Sequence, residues 1–263
     1  MNVLSQIIGK KRERVEEAKR VVPLERLRTE ALAKRERAPS YALRRALQND
    51  GINVIAEFKR RSPSKGVIRA GADLPSIVSS YKAGGAAAIS VLTEEDYFDG
   101  SLADLRAVKT SVDLPVLRKD FVFDPYQVFE SAAAGASAVL LIVAVLDDQQ
   151  LESLQRLAEE LGMDALVEVH NSEEMDRAAS CGAKLVGVNN RDLRTFEVSL
   201  ETSIRLAPRA PSDALLVSES GLSEAADLQR LKGHGFHGFL IGETLMRAAC
   251  PEAALRELRN DVS

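Results

Sequence analysis

At 263 residues, with 45% hydrophobic and 28% charged positions, the chain can bury one large core, has no room for a second full domain, and is too ordinary in composition to be disordered. Its formal net charge of -4 supplies no basic field for nucleic acid, so no nucleic-acid partner is expected. The longest apolar run, AVLLIVAVL from Ala138 to Leu146, falls far short of the ~20 residues of a membrane span, and Cys181 and Cys250 lack the spacing and histidine neighbours of a metal site.

From about Leu4 to Leu47 apolar positions alternate with Lys, Arg and Glu at spacings of three and four, interrupted at Pro23 and Pro39. This predicts two or three helices with solvated charged faces. The first basic cluster follows a brief apolar patch and is mixed with glutamates, unlike a secretory or transit segment, so the expected location is cytoplasmic.

From Ile52 the texture changes. Eight short apolar runs follow: NVIAEF from Asn53, AAISVLT from Ala87, LPVLRK from Leu114, AVLLIV from Ala138, ALVEVH from Ala165, LVGVNN from Leu185, ALLVSE from Ala214 and GFLIGE from Gly238. Nearly continuous hydrophobicity is the mark of parallel strands covered on both faces. Between them lie helix-like segments such as SLADLRAVKT, DDQQLESLQRLAEELG, SEEMDRAASCG and SEAADLQRLKG, several opening on Ser or Asp as candidate N-caps. Eight βα repeats predict an α/β fold of the (β/α)8 TIM barrel type, one domain over 1–263 with residues 1–50 as an N-terminal helical extension packed on it. A doubly wound open sheet uses the same units. It is disfavoured because no G-x-G-x-x-G follows the first strand and polar residues end many strands instead of clustering at one crevice.

Those strand ends carry the candidate chemistry. Glu57 and Lys59 are two apart, hence on one face, which inside a barrel is the lumen. They either pair for stability or face a ligand. The turn RSPSKG, with Ser62, Pro63 and Gly66, suits a loop over an anionic ligand. Lys119 ends the third run, and two lysines converging in a partly closed site should repel and lower the pKa of at least one, which then serves as proton donor or Schiff-base amine. Glu168 in ALVEVH is a partner for a lysine across the lumen or a base, whereas His170, alone at a strand-loop junction, reads as a framework residue. Asn189 and Arg191 can donate to hydroxyls and a carboxylate, while Asn190 and Asp192 suit a turn. The seventh and eighth runs end in SESG and IGET, and paired glycine-containing ends at these two strands are where barrels commonly bind phosphate, through Ser220, Gly221, Gly242 and Glu243 here. A sugar-phosphate isomerase or aldolase, or a silent phosphate-binding barrel, would share these features.

Taken in order, the helical extension, the E-x-K-x-x-SPSKG segment from Glu57 to Gly66, LTEEDYFDGS, LRKDF, EVH, GVNNRDL, SESG and IGETLM resemble the indole-3-glycerol phosphate synthase family nearly end to end. The resemblance implies closure of 1-(2-carboxyphenylamino)-1-deoxyribulose 5-phosphate to indole-3-glycerol phosphate with loss of carbon dioxide and water, without metal or organic cofactor. It implies Lys119 as general acid, Lys59 as partner of the substrate carboxylate, Glu168 as base or electrostatic partner, and Glu57, Asn189 and Ser220 in the catalytic set. Ser62, Pro63, Phe98, Phe121, Arg191 and Leu193 would contact the substrate, and Gly221, Ile241, Gly242 and Glu243 would cradle its phosphate. A monomer acting on a phosphorylated small molecule is the expected form.

Overall fold

The computed structural model describes residues 3–260; positions 1–2 and 261–263 of the expected domain lie outside them. Eight strands, β1 (Asn53–Phe58), β2 (Ala88–Leu92), β3 (Val116–Lys119), β4 (Ala138–Ile142), β5 (Asp164–Val169), β6 (Leu185–Asn189), β7 (Leu215–Glu219) and β8 (Phe236–Ile241), form one closed barrel. Every pairing is parallel, and β1 closes the ring by pairing with both β2 and β8. The open-sheet alternative is thereby excluded.

Helices alternate with the strands: α4 (Leu74–Ala83), α5 (Leu102–Ser111), α6 (Pro125–Ala134), α7 (Asp148–Glu160), α8 (Ser172–Ser180), α9 (Glu201–Leu206), α10 (Ala225–Gly233), α11 (Glu243–Arg247) and α12 (Pro251–Arg259). Their starts are chemically marked. Asp124 and Asp147 head capping boxes with Gln127 and Gln150, and Ser101 accepts from Asp104 N–H. Two expected caps shift: Asn171, not Ser172, caps α8, and α10 begins after Glu224 with no side-chain cap, which leaves Ser223 free to line the cavity described below.

The strands put alternate residues on the two faces of the wall. Ile55, Ala88, Leu117, Leu140, Leu166, Leu185, Val217 and Leu240 pack inward as one lumen cluster, and their neighbours pack outward against the helices. Before the barrel come α1 (Val3–Val21), α2 (Leu24–Arg35) and α3 (Ala42–Ala46), with Pro23 at the N-cap of α2. Short α3 drives Leu43 and Leu47 into the lumen cluster from the N-terminal end of the strands. Its N-terminus is satisfied by the buried carboxylate of Asp164, which accepts from Leu43 N at 3.0 Å and Arg44 N at 3.1 Å.

Helix α1 lies along the opposite rim. Its Lys11 is buried at 2% exposure and bonds Glu95 at 2.7 Å and Asp120 at 2.9 Å, beyond the ends of β2 and β3. Arg118, Thr93 and Lys11 converge on Asp120 and hold its carboxyl at about 2, the cations outweighing the upward push of burial. Arg14 to Asp96 and Lys19 to Asp124, both at 2.7 Å, extend the same seam.

Candidate active site

Strand alternation dictates the site. Two residues beyond Ile55, Leu117, Leu166 and Val217, all lumen-facing, stand Glu57, Lys119, Glu168 and Glu219. Each therefore points inward at the carboxyl-terminal rim, where the apolar plug ends. Above them opens a cavity of about 640 Å³.

Each of the expected residues reaches this one cavity: Glu57, Lys59, Ser62, Pro63, Phe98, Lys119, Phe121, Glu168, Asn189, Arg191, Leu193, Ser220, Gly221, Ile241, Gly242 and Glu243 all line it. Val3, Leu4 and Ile7 of α1 complete its apolar wall. The rings of Phe98 and Phe121 stand 6.3 Å apart at 44°. Phe98 is fixed from behind by buried Glu94, whose carboxylate accepts from the backbone N–H groups of Asp96, Tyr97 and Phe98 at 3.1, 2.8 and 3.1 Å.

The charges are arranged otherwise than lysine repulsion predicts. Lys59 pairs with Glu57 at 2.5 Å. Lys119 sits between Glu168 at 2.9 Å and Glu219 at 3.1 Å. Burial alone would lower the Lys119 ammonium; the carboxylates of Glu168, Glu219 and Glu57 reverse this and hold it well above the ordinary lysine value. The expected depression of a lysine pKa is thus corrected for Lys119, because each lysine meets carboxylate before it meets the other lysine.

Glu219 is the residue that sequence reasoning missed: SESG was read for its serine and glycine. Burial drives its carboxyl up and Glu168 adds repulsion, against the pull of Lys119, so it reaches about 8 and carries a proton at neutral pH. Glu168 goes the other way. Burial opposes its charge, but Lys119 and His170 take it far below the ordinary carboxylate range. Its parity with Val217 was the available signal for Glu219.

Glycines make space for two of these carboxylates. A Cβ on Gly187 would overlap Glu219 Oε1, and one on Gly242 would overlap Glu57 Oε1. Asn189 accepts from Ser220 Oγ at 2.9 Å, and Asn190, predicted as a turn residue, is buried and donates to Ser218 Oγ at 3.0 Å and Ser220 O at 3.1 Å. These bonds brace Ser220, whose φ of 70° precedes a φ of 80° at Gly221, so the chain turns sharply as it leaves β7. Arg191 donates to Phe196 O at 3.1 Å within its own loop. The Glu243 carboxylate faces Arg247 at 3.0 Å and Lys65 at 4.0 Å.

Ammonium and carboxylate groups meshed inside a low-dielectric rim at the carboxyl-terminal ends of the strands are an arrangement equipped to move protons, as in a (β/α)8-barrel enzyme. The sequence model of the indole-3-glycerol phosphate synthases matches residues 4–258. Indole-3-glycerol phosphate synthase of Carboxydothermus hydrogenoformans is 45% identical over 260 residues, spanning 97% of this chain and 98% of its own, and that of Bacteroides thetaiotaomicron is 45% identical over 97% and 96%. Among solved structures, a 3-hexulose-6-phosphate synthase superposes with a TM-score of 0.65 at 16% identity, covering 81% of this chain and all of its own, and the thiamine phosphate pyrophosphorylase of Pyrococcus furiosus with 0.59 at 18%, covering 80% and 94%; these share the fold. The chain belongs to the indole-3-glycerol phosphate synthase family.

Proposed function

We propose that Lys119 is the general acid of the family's ring closure, in which 1-(2-carboxyphenylamino)-1-deoxyribulose 5-phosphate loses carbon dioxide and water to become indole-3-glycerol phosphate. The observation that carries this is the Lys119 ammonium itself, 2.9 Å from Glu168 and 3.1 Å from Glu219 beneath a cavity walled by Phe98 and Phe121.

As the ring carbon attacks the ketone, its oxygen becomes an alkoxide. An alkoxide is a stronger base than an amine, so even an ammonium held above its ordinary value gives up its proton there. Lys59, oriented by Glu57, pairs with the substrate carboxylate until the bond to it breaks and its electrons restore the ring. The new hydroxyl then leaves as water, taking a proton from the Lys59 ammonium that the departed carboxylate has freed, while Glu168 takes the proton from the adjacent carbon.

Asn189 and Ser220 orient substrate hydroxyls, and Arg191 assists with the carboxylate. Phe98, Phe121 and Leu193 enclose the aromatic ring, and Ser62 and Pro63 also contact the substrate. Gly221, Ile241, Gly242 and Glu243 hold the phosphate, with Glu243 acting through its backbone because its carboxylate is turned to Arg247 and Lys65. We also infer a single-domain cytoplasmic monomer; the one closed barrel supports the single domain.

The test is turnover by purified protein. Release of indole-3-glycerol phosphate from the anilino-deoxyribulose phosphate is expected, and well-folded protein that leaves this substrate untouched overturns the reading. Borohydride trapping of a substrate-linked lysine would point to an aldolase instead.

A further inference from the structure

The sequence set His170 aside as framework, yet it stands directly behind Glu168. Its side chain, 9% exposed, sits just past the end of β5. Nδ1 lies 3.0 Å from Glu174 Oε2, and the same oxygen accepts the His170 backbone N–H at 2.8 Å. The other oxygen of Glu174 accepts from Asn171 Nδ2 at 2.8 Å, while Glu174 N–H donates to Asn171 Oδ1 at 2.9 Å, so the carboxylate is fixed in the first turn of α8.

On the far side, Nε2 lies 3.3 Å from Glu168 Oε1, at ion-pair distance though outside hydrogen-bond geometry, and has no other partner among the described residues. Glu168 Oε2 is the oxygen that accepts from Lys119. The two oxygens of Glu168 are therefore divided, one to His170 and one to Lys119.

We propose that Glu174 and His170 are positioning residues for the reaction: Glu174 orients the imidazole, and the imidazole holds one oxygen of Glu168 so that the other stays committed to Lys119.

The arrangement also explains an asymmetry. Glu168 and Glu219 both touch Lys119, but only Glu168 faces a second cation. The groups around His170 are Glu168 from β5, Glu174 from α8 and Asp192 from the loop after β6. Burial works against charge on the ring, yet Glu168 and Glu174 lift it to about 10, so it is an imidazolium at neutral pH. Glu168 thus stays ionised and the remaining proton rests on Glu219.

The inference depends on Glu168 acting in turnover, and the experiment separates the two. The kcat and KM of His170→Gln, Glu174→Gln, Glu168→Gln and the double variant His170→Gln/Glu168→Gln are compared with the parent. His170→Gln is expected to lose about 10- to 100-fold in kcat with KM within about threefold, as misplacement of a reacting group does, and Glu174→Gln to lose less in the same sense. The decisive readout is the double variant: if His170 acts through Glu168, it turns over no slower than Glu168→Gln alone. Multiplied losses, or a His170→Gln kcat within about twofold of the parent, overturn the proposal. A Glu168→Gln enzyme of parental kcat overturns the reading of Glu168 itself, independently of any histidine variant.

Should His170→Gln fail to fold, Glu174→Gln carries the same cycle. Nitrogen NMR gives an independent check on the intact protein, which has three histidines to assign. His170 should remain protonated through neutral pH and titrate lower in Glu174→Gln; a parental His170 that titrates near the ordinary ~6.5 overturns the proposal.

Discussion

Glu219 occupies the volume that a side chain at position 187 would need: a Cβ on Gly187 would overlap Glu219 Oε1 and stand 3.2 Å from Leu166 Cδ1. Gly187→Ala should therefore drive the carboxylate off Lys119. A loss of about 1–3 kcal/mol is expected from overpacking, with kcat falling more than KM rises. Denaturant titration and steady-state kinetics check this, and parental values in both would show that Glu219 needs no such space.

The proton on Glu219 should be visible in the pH dependence. An ionisation near 8 is expected in kcat/KM, which reports the free enzyme, and it should vanish in Glu219→Gln. For stability the sign follows from proton counting. Folded Glu219 keeps its proton up to about 8, whereas an unfolded glutamate releases it near ~4.3, so the folded state binds more protons in between. Its contribution is fully present below the unfolded value and is lost as pH rises through about 8. Melting temperature against pH should show a shallower decline between ~4.3 and about 8 in Glu219→Gln than in the parent.

His170 adds to that decline by the same rule. Its folded value of about 10 lies above the ~6.5 of a free imidazole, so its contribution is present below the lower value and fades toward the higher. Glu174→Gln should move this loss to lower pH in the same melting series; an unmoved curve would mean that Glu174 does not hold the charge on the ring.

Replacing Lys119 removes the cation shared by Glu168 and Glu219. Lys119→Ala should lower kcat by about 10²–10⁴-fold while substrate still binds, measured by calorimetry beside kinetics. Near-parental turnover would end its role as acid.

The barrel was legible because parallel strands buried on both faces leave near-continuous apolar runs, and Asn53–Phe58 is read to the residue from NVIAEF. The rim was legible wherever a charge interrupts such a run at lumen parity, as at Glu57, Lys119 and Glu168. Glu219 has the same parity but sits among serines that draw attention to phosphate binding. The pKa of Lys119 was beyond reach, since it depends on which carboxylates from β5 and β7 fold against it, and chain order does not reveal that three-way meeting. Glu94 and His170 escaped for a related reason: each acts by bonding a neighbour in its own loop or strand end, and such bonds leave no periodic trace.

Lys11 and Asp120 form the deepest ion pair of the seam beneath α1, so removing one partner uncovers a buried charge. Lys11→Ala should destabilise the fold by about 3–5 kcal/mol, toward the lower figure because Arg118 still faces Asp120. Chemical unfolding measures it, and a change below about 1 kcal/mol would mark the pair as energetically idle.

The same pair sets an order of events during synthesis. Lys11 is 84 positions from Glu95 and 109 from Asp120, so it leaves the ribosome long before either carboxylate that neutralises it. Until those carboxylates have been made, burying that ammonium is unfavourable, which opposes the docking of α1. The first helix to be synthesised is in this sense held back by its own lysine, and it is expected to close the wall of the catalytic cavity only once the third strand has been made.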